Sequence, residues 1–231
     1  TPVATTAGGS PAYTNASQST CRYGEFDTTT GVVRTYTYVE LPSMPVLTNG
    51  FSVTAWIRST DVTASGQRIF VRDDNQNGWA ISLGDGGTGR LRFFNRSTAN
   101  SGAVTGGTNP SAGGFAIDTP AVINANTWYF VAATVNTASK TITVYVYSNT
   151  GTQLAKASSL YSGTWSDGTG MAAIGGETAA SAEGQTAAFH FRGNVDEVAF
   201  FTGAQTQSQI ETRLTQVRTC TASQTCIVDD F

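Results

Sequence analysis

The sequence predicts an all-β fold of two stacked antiparallel sheets with one short C-terminal α-helix. Short apolar runs recur along the chain and are separated by clusters of Gly, Asn, Asp and Ser, the pattern of many short strands joined by turns. From Thr141 to Tyr147 apolar residues alternate with Thr and Tyr, which is the period of a strand with one wet face. Only 13% of the residues are charged and 25 are glycine, as expected of a turn-rich β domain.

Ten strands are predicted in chain order, and 231 residues are enough for one sizeable core. Turn residues that tolerate positive φ separate several of the strands, for example at Asn149–Gly151 and Asp85–Gly89. The predicted strands are Arg22–Asp27, Val32–Leu41, Phe51–Arg58, Gln67–Arg72, Trp79–Leu83, Arg90–Asn95, Trp128–Asn136, Thr141–Tyr147, Met171–Ile174 and Phe189–Phe201.

A single amphipathic helix is predicted after the last strand. Thr206-Gln207-Ser208-Gln209 fits a capping box, in which the Thr hydroxyl and the Gln side chain satisfy opposite backbone donors. Ile210, Leu214 and Val217 then recur at helical spacing. We expect this apolar face to pack on the sandwich.

Composition divides the chain into three parts. Residues 1–20 are rich in Thr, Ala, Ser and Gly without periodicity and are predicted to be a flexible linker. Residues 21–220 form the predicted domain, and 221–231 a linker or the start of a next domain. The first 18 residues have no basic start and no apolar stretch, which favours a mature protein or an excised module.

The charge pattern excludes nucleic acid as a partner, and the lack of long apolar runs excludes insertion into a membrane. The formal charge is −3, the only lysines are Lys140 and Lys156, and the arginines are scattered, whereas binding to nucleic acid needs clustered basic residues. No run of 18 apolar residues occurs, so no membrane insertion is predicted.

Three segments carry a resemblance to a known family. Phe191–Val198 reads F-R-G-N-V-D-E-V, Phe51–Arg58 reads F-S-V-T-A-W-I-R, and Thr127–Thr134 reads T-W-Y-F-V-A-A-T. They resemble the F-x-G-x-[IV]-D-E-V, F-[ST]-[VI]-x-[AF]-W and W-x-x-V-A strands of laminin-G-like (LamG-like) domains in the concanavalin A-like lectin/glucanase superfamily. The resemblance implies that the two sheets form a jelly roll and that Trp56 and Trp128 are buried.

A narrower resemblance concerns Cys21–Asp27 and Ser82–Phe94. These segments are similar to the LamG-like module of large bacterial surface proteins associated with mannose-sensitive haemagglutinin type IV pili. The resemblance implies a secreted or surface-displayed adhesion module that recognises a glycan or a surface protein and has no catalysis of its own. A structural spacer in a multidomain surface protein is the alternative, and a glucanase-type hydrolase is a more distant one.

The chain has three cysteines, Cys21, Cys220 and Cys226, which bracket the predicted strands. Because the terminal strands of such sandwiches are neighbours, the family resemblance favours a disulfide between Cys21 and Cys220, which implies an oxidising, extracytoplasmic compartment. Spacing alone leaves two alternatives open, a local Cys220–Cys226 bridge or no bridge.

One stretch has the spacing of a calcium loop. In Asp73-Asp74-Asn75-Gln76-Asn77-Gly78 oxygen ligands alternate before a glycine, as in the first half of an EF-hand. Gly84 stands where the bidentate Glu is expected, and Asp85 contributes only if the intervening strand returns it to the same rim. The predicted calcium ligands are Asp73, Asn75, Asn77 and Asp85, and the alternative is an Asn-Gly turn between two strands.

Other carboxylates form a second candidate set of calcium ligands, namely Glu25, Asp27, Asp196 and Glu197. The alternative is that these are solvated charges or buried structural groups. Calcium at the sandwich rim is common in the resembled family. Glu25-Phe26-Asp27 also matches two positions of a glucanase motif, but Thr28 to Thr30 follow in place of the third carboxylate. The only histidine, His190, lies between two phenylalanines and is predicted to be structural.

A ligand site is predicted at the rim of the sandwich. Apolar faces of sugars stack on aromatic rings while sugar hydroxyls meet Asp and Asn side chains. Trp165 is the tryptophan expected to be most exposed, and the alternative is that these aromatic residues plug the end of the sandwich. The predicted ligand-binding residues are Trp79, Tyr161, Trp165 and Asp167.

Overall fold

The computed structural model describes residues 3–6, 22–26, 38–41, 44, 47, 49–73, 78–95, 100–102, 115–163, 165, 167, 171–177 and 189–218. Within these residues fourteen strands form two antiparallel sheets and a helix follows the last strand. In chain order the elements are β1 Val3–Thr6, β2 Arg22–Phe26, β3 Val39–Leu41, β4 Phe51–Ser59, β5 Gln67–Asp73, β6 Gly78–Leu83, β7 Leu91–Asn95, β8 Asn100–Gly102, β9 Phe115–Asp118, β10 Tyr129–Asn136, β11 Thr141–Ser148, β12 Gln153–Gly163, β13 Ala172–Ile174, β14 Gly193–Phe201 and α1 Gln207–Arg218.

The two sheets are an eight-stranded sheet of order β1-β2-β14-β4-β10-β11-β12-β8 and a six-stranded sheet of order β3-β13-β5-β6-β7-β9. The closing strand β14 lies inside the larger sheet, between β2 and β4, with Val195 opposite Ile57. Strands that are distant in sequence are therefore neighbours in space, as in a jelly roll. The fold class predicted from the sequence is confirmed.

The core lies between the sheets and is built largely by alternation along the strands, interrupted where bulges occur, as at Ile69 and Phe70. On β10, Val131, Ala133 and Val135 face the main core, whereas Phe130 and Ala132 face the other side of the sheet. This is the period of two that a pleated strand imposes. Each large apolar side chain that is fully buried contributes about 1.5–3 kcal/mol to the free energy of folding.

The register of the six-stranded sheet defines two ends of the sandwich. At one end Asp73 pairs with Gly78 and Asn95 pairs with Phe115, and we name this end the Trp165 end after the tryptophan that packs there. At the other end Gln67 pairs with Leu83, and we name it the Asp85 end after the acidic residue that follows β6.

Helix α1 begins with the predicted capping box. The Thr206 backbone N–H donates to Gln209 Oε1 at 2.8 Å, and the Gln209 N–H donates to Thr206 Oγ1 at 3.3 Å. Ile210 and Leu214 are buried against the outer face of the eight-stranded sheet, in a cluster completed by Trp56, Phe130, Ala132, Tyr145 and Tyr147. The cap is confirmed, and so is the apolar face at Ile210 and Leu214, whereas the side chain of Val217 lies outside what the structure describes.

Several elements differ from the prediction. Residues Val3–Thr6, inside the predicted linker, pair with β2, and strands β8, β9 and β12 were not predicted. The last strand begins at Gly193 rather than Phe189. Gly193 has φ 137° and a Cβ there would overlap the Arg58 carbonyl, so this position requires glycine. Of predicted strand Val32–Leu41, Val39–Leu41 forms β3, and 32–37 lie outside the described residues.

Trp56 is fully buried, as the family resemblance implies, whereas Trp128 is only partly buried against the same cluster. Within the described part of the chain, no helix combines the length and the apolar character that crossing a membrane requires.

Candidate functional site

The predicted ligand-binding residues come together at the Trp165 end, where aromatic rings from both sheets meet. The Tyr161 and Trp165 rings are 5.8 Å apart in an edge-to-face arrangement, and the Phe51 ring lies 4.3 Å from Trp79 and 5.7 Å from Trp165. Centroid separations of this size are favourable for aromatic pairs. Trp165, after β12, and Tyr161, within it, thus pack against the aromatic core.

Asp167 is held in place by three donors that are distant in sequence. Asp167 Oδ2 accepts from the Leu47 backbone N–H at 3.0 Å and from Arg72 Nη1 at 2.6 Å, and its Oδ1 accepts from Trp79 Nε1 at 2.8 Å. Burial raises the pKa of Asp167, although the Trp79 hydrogen bond and the Arg72 charge oppose this effect. The carboxylate is a structural anchor between the two sheets.

The four predicted ligand residues differ in their exposure. Trp79 is 0%, Tyr161 4% and Asp167 7% exposed, so in this conformation their side chains are part of the core. Trp165 is the one of the four that is only partly buried, packed against the core from outside. The arrangement is that of an aromatic plug, and Trp165 is the side chain that still presents a surface to a ligand.

The residues predicted to bind calcium are not all brought together. Asp73 ends β5 at the Trp165 end, whereas β6 carries the chain away, so that Asp85 lies at the opposite end. Six strand residues at about 3.4 Å each separate the two positions by roughly 20 Å. Asp85 therefore cannot complete a site that contains Asp73. The predicted ligands Asn75 and Asn77 lie outside the described residues.

Asp85 has a different role, in a charged cluster that the sequence did not reveal. Arg68 Nη1 donates to Asp85 Oδ2 at 2.6 Å, and Arg68 Nε donates to Glu177 Oε1 at 2.5 Å. The guanidinium is also stacked between the Phe94 and Phe189 rings, at 4.8 and 4.7 Å. Arg68 is 2% exposed, and its two carboxylate partners provide the charge compensation that such burial requires.

This cluster lies on the outer face of the six-stranded sheet, beside a second buried ion pair. Arg92 donates to both carboxylate oxygens of Asp118, at 2.6 and 2.8 Å. His190, which the sequence predicts to be structural, is fully buried next to this face and forms an isolated bridge with Arg68. These polar residues are buried and serve the packing of the sheet.

The second acidic set includes the residues at a β-bulge between Asp196 and Ala199. Glu197 adopts φ 50° at the bulge and accepts from Arg213 of α1 at 3.1 Å, while the Asp196 carboxylate accepts from the Glu197 N–H at 2.8 Å. Glu25 pairs with Asn194 on the neighbouring strand, and Asp27 lies outside the described residues. Both residues of the bulge are engaged in structural contacts.

Two further points concern metals and disulfides. Within the described residues, no three His, Cys, Asp or Glu side chains are grouped so that they could hold a metal ion. The predicted disulfide partners Cys21 and Cys220, and the third cysteine Cys226, lie outside the described residues. The calcium site and the disulfide stay predictions.

A family model described as "Concanavalin A-like lectin/glucanases superfamily", of the laminin G type, matches residues 33–211. The chain belongs to this superfamily. The family resemblance inferred from the segments in β4, β10 and β14 is therefore confirmed, and the narrower resemblance to pilus-associated proteins stays an expectation. A search of the curated proteins finds no match.

Solved structures show how this superfamily fold is shared. A carbohydrate-binding module, CBM40, of the Ruminococcus gnavus IT-sialidase bound to α2,3-sialyllactose is 16% identical, with TM-score 0.51 over 71% of this chain and 81% of the module. The LG1-3 region of the laminin α2 chain is 12% identical, with TM-score 0.51 over 74% of this chain and 31% of that region. A putative carbohydrate-binding protein from Bacteroides ovatus ATCC 8483 is 18% identical, with TM-score 0.51 over 78% and 44%. These similarities concern the fold.

Proposed function

We propose that this superfamily domain is a non-catalytic extracellular binding module whose Trp165 end contacts a glycan or a surface protein. The observation that carries the proposal is the position of Trp165. Trp165 is partly exposed although its indole Nε1 is buried, and its ring is held by aromatic contacts with Tyr161, Phe51 and Phe93. A ring fixed before binding loses little conformational freedom when a ligand stacks on it, which favours affinity.

The anchoring of Asp167 supports the same role. It ties the residues next to Trp165 to Leu47 and Arg72, in two other parts of the chain. A loop residue that is positioned by a rigid scaffold is typical of binding sites. The carbohydrate-binding modules among the solved structures with this fold make a glycan the first ligand class to test.

The test is a glycan array with the unmodified domain, Trp165→Ala and Trp165→Phe. The proposal expects binding by the unmodified domain, loss with Trp165→Ala and partial retention with Trp165→Phe, because stacking of a sugar on an aromatic ring is worth on the order of 1 kcal/mol or more. Equal binding by all three proteins would show that the binding site does not lie at the Trp165 end.

A structural spacer within a multidomain surface protein is the second candidate. The full burial of Trp79 and the near-complete burial of Tyr161 favour it, because these aromatic residues complete the core rather than a ligand surface. A silent array, together with no binding to surface-protein preparations, supports the spacer. Release of reducing sugar from a β-glucan would instead show that the domain is an enzyme.

Calcium is proposed as an optional component of the same end. Asp73 is the member of the predicted set that the structure describes at this end, and it is 1% exposed at the end of β5. A site there would need Asn75, Asn77 and backbone carbonyls as further oxygen ligands, since Asp85 is remote. We expect the melting temperature to be higher in calcium than in chelator, and an unchanged melting temperature removes calcium from the proposal.

The biological setting proposed for the module is a secreted protein on a bacterial surface, as part of a pilus-associated adhesin. The sequence resemblance supports this setting, and so does the composition, which is poor in charge and rich in Thr, Ser and Gly. Detection of the parent protein in a cell-surface fraction tests it, and recovery from the cytoplasm alone contradicts it.

A further inference from the structure

A row of polar and aromatic side chains crosses the outer face of the eight-stranded sheet beside helix α1. On β4, Trp56 lies on this face under the helix and Ile57 lies in the core, so Arg58 returns to the outer face. Asn194 pairs with Arg58 from the neighbouring strand β14. Trp128, just before β10, packs at the margin of the cluster under α1. These side chains belong to three adjacent strands or their extensions.

The ladder between β4 and β10 makes Arg58 and Trp128 neighbours. Tyr129 pairs with Ile57, so the same antiparallel register, continued by one residue, places Trp128 opposite Arg58. Side chains of directly opposed residues lie on the same face of a sheet, with their Cβ atoms about 5 Å apart. A guanidinium and a partly buried indole are thus side by side on this face.

Arg58 is positioned by two acceptors. Its Nε donates to the Asn126 carbonyl at 3.3 Å, and its Nη1 donates to Asn194 Oδ1 at 3.5 Å. Asn126 adopts φ 60°, and its own N–H donates to the Ser59 carbonyl at 2.7 Å, which fixes the turn to β4. Positive φ is uncommon outside glycine and persists where the surrounding contacts require it. The guanidinium is therefore oriented before any ligand binds.

The charge of Arg58 is not used by the fold in the way that other arginine charges are. Arg68, Arg72 and Arg92 are each buried against a carboxylate. Arg58 is partly exposed, and within the described part of the chain it forms no ion pair. A guanidinium has five N–H donors, and two of those of Arg58 are engaged. The others are available to an acceptor from outside.

The acidic residues of the neighbouring strands lie on one side of Arg58. Asp196 and Glu25 are on the β14 side, where the Asp196 carboxylate accepts from the Glu197 N–H at 2.8 Å. On the other side, neither β10 nor residues 119–128 before it contain an acidic residue. An anionic group is therefore favoured on the side of Arg58 where Trp128 lies.

We propose that Arg58 and Trp128 form a binding site for a sugar unit that carries a carboxylate, of the uronic acid class. The carboxylate accepts from two N–H groups of the guanidinium, the arrangement that two planar groups of opposite charge favour. The apolar face of the sugar ring lies against the Trp128 indole. The exposed Asn126 at the turn is available to a sugar hydroxyl.

The position of the site inside the sheet favours a sugar over a peptide. Strand β4 is paired on both sides, with β10 and β14, so it offers no backbone edge to which a peptide strand could be added. An acidic side chain of a peptide would engage the guanidinium without covering the indole. A sugar ring with a carboxylate engages both groups at once.

This site is separate from the proposed ligand site. Arg58 lies seven residues along β4 from Phe51, which is roughly 24 Å from the Trp165 end. The proposal does not rest on the proposed function, and its failure leaves that function untouched. Because a single sugar unit is a small ligand, we expect a Kd of about 1 mM.

The experiment is an NMR titration of the full chain with glucuronate and with glucose. We expect saturable shifts of the Arg58, Asn126 and Trp128 amide signals with glucuronate, and no saturation with glucose over the same range. Acetate, a carboxylate without a sugar ring, should bind about tenfold more weakly. Equal affinities for glucuronate and glucose overturn the proposal, and so does acetate or a short acidic peptide that binds as tightly as glucuronate. Saturable shifts confined to the Trp165 end also overturn it.

Two variants of Arg58 and a matched control test the guanidinium. Arg58→Gln removes the charge and should raise the Kd for glucuronate by about tenfold or more, whereas Arg58→Lys keeps the charge without the planar fork and should raise it less. Arg90→Gln is the control, because Arg90 is also partly exposed at the Asp85 end, where its Nη1 donates to the Thr119 carbonyl at 3.1 Å. Circular dichroism confirms that each variant is folded.

The comparison separates a site from a general charge effect. We expect Arg90→Gln to leave the Kd for glucuronate unchanged. An unchanged Kd in Arg58→Gln, or an equal rise in Arg90→Gln, would show that binding does not occur at Arg58. If Arg58→Gln does not fold, the glucuronate and glucose titrations of the unmodified protein and of Arg58→Lys still decide the question.

Discussion

Arg72 and Asp167 illustrate how a single buried ion pair fixes the end of the sandwich. Both side chains are 5% exposed, and the pair joins β5 to the segment after β12 across 95 positions of sequence. Removing one partner leaves the other charge buried, which is far more costly than losing a surface contact. The position of Trp165 therefore depends on this pair as well as on its own packing.

We expect Asp167→Asn to lower the free energy of unfolding by about 3–5 kcal/mol, because the buried Arg72 guanidinium loses its counter-charge. Urea denaturation measures the change. The double variant Arg72→Met, Asp167→Leu is the control, since it removes both charges and should recover part of the loss. A double variant as unstable as Asp167→Asn would show that the hydrogen bonds to Leu47 and Trp79 matter more than the charge.

Asp61 lies in the loop between β4 and β5, and its pKa is lowered, whereas that of Asp167 is raised. The Thr63 hydroxyl donates to it at 2.6 Å and the Arg192 guanidinium at 2.5 Å. The Thr63 hydrogen bond, aided by its backbone N–H and by Arg192, holds the pKa of Asp61 below its ordinary value despite partial burial. The ionised carboxylate thus stabilises the fold above pH ~4, and this contribution is lost as the pH falls through the lowered pKa.

Asp61→Asn keeps a carbonyl acceptor for Thr63 but loses the charge. We expect the variant to be less stable than the unmodified protein at pH 7, and the gap to narrow as the pH is lowered below about 4. Urea midpoints at several pH values measure the gap. A gap that stays constant over this range would mean that the charge of Asp61 contributes nothing.

At the scale of elements, helix α1 shows what a local pattern can predict. The capping box is encoded in four consecutive residues, and the structure forms both of its hydrogen bonds. We expect Thr206→Ala to cost about 1 kcal/mol, because it leaves a helix N–H without its acceptor, and Thr206→Ser to cost much less. Urea denaturation of both variants checks this, and equal losses would locate the cause in the lost methyl group.

Strand β12 shows why other elements escaped prediction. Its segment from Leu154 to Ser159 contains no β-branched residue, so propensity gives little sign of a strand. It is a strand because β11, with its alternating Ile142, Val144 and Val146, supplies a ladder for it. Tertiary pairing overrides a weak local preference here, whereas β4, β10 and β14 carry both the preference and a family motif.

The candidate site was predictable in position but not in geometry. Four residues that the sequence suggested as a ligand rim do meet at the Trp165 end. Their burial depends on the contacts of Arg72 and Leu47 with Asp167. These residues are far apart in the sequence, so their spacing does not reveal the contacts. Asp73 and Asp85 failed to meet for a simpler reason, because the six-residue strand β6 between them runs the length of the sheet.

At the scale of the whole molecule, the order of the larger sheet makes the last strand indispensable. Strand β14 lies between β2 and β4, so among the described strands β1 and β2 are hydrogen-bonded to the rest of the larger sheet through it alone. Val195 of β14 belongs to the main core. Just after β14, the Gln205 N–H donates to the Ser52 hydroxyl of β4 at 2.7 Å. Pairings between the two ends of the chain close late, because long loops must be ordered first.

We expect a chain truncated after residue 188 not to fold, because β4 loses its neighbour and β2 its only link to the sheet core. A chain truncated after residue 206 is the matched control: it lacks α1 and the same C-terminal residues but retains β14. We expect the control to fold with a lower melting temperature and to bind a hydrophobic dye, since Trp56 and Phe130 lose the cover of Ile210 and Leu214. Amide NMR spectra of the two proteins make the comparison. Well-dispersed amide signals from the shorter chain would show that the remaining strands close the sandwich without β14.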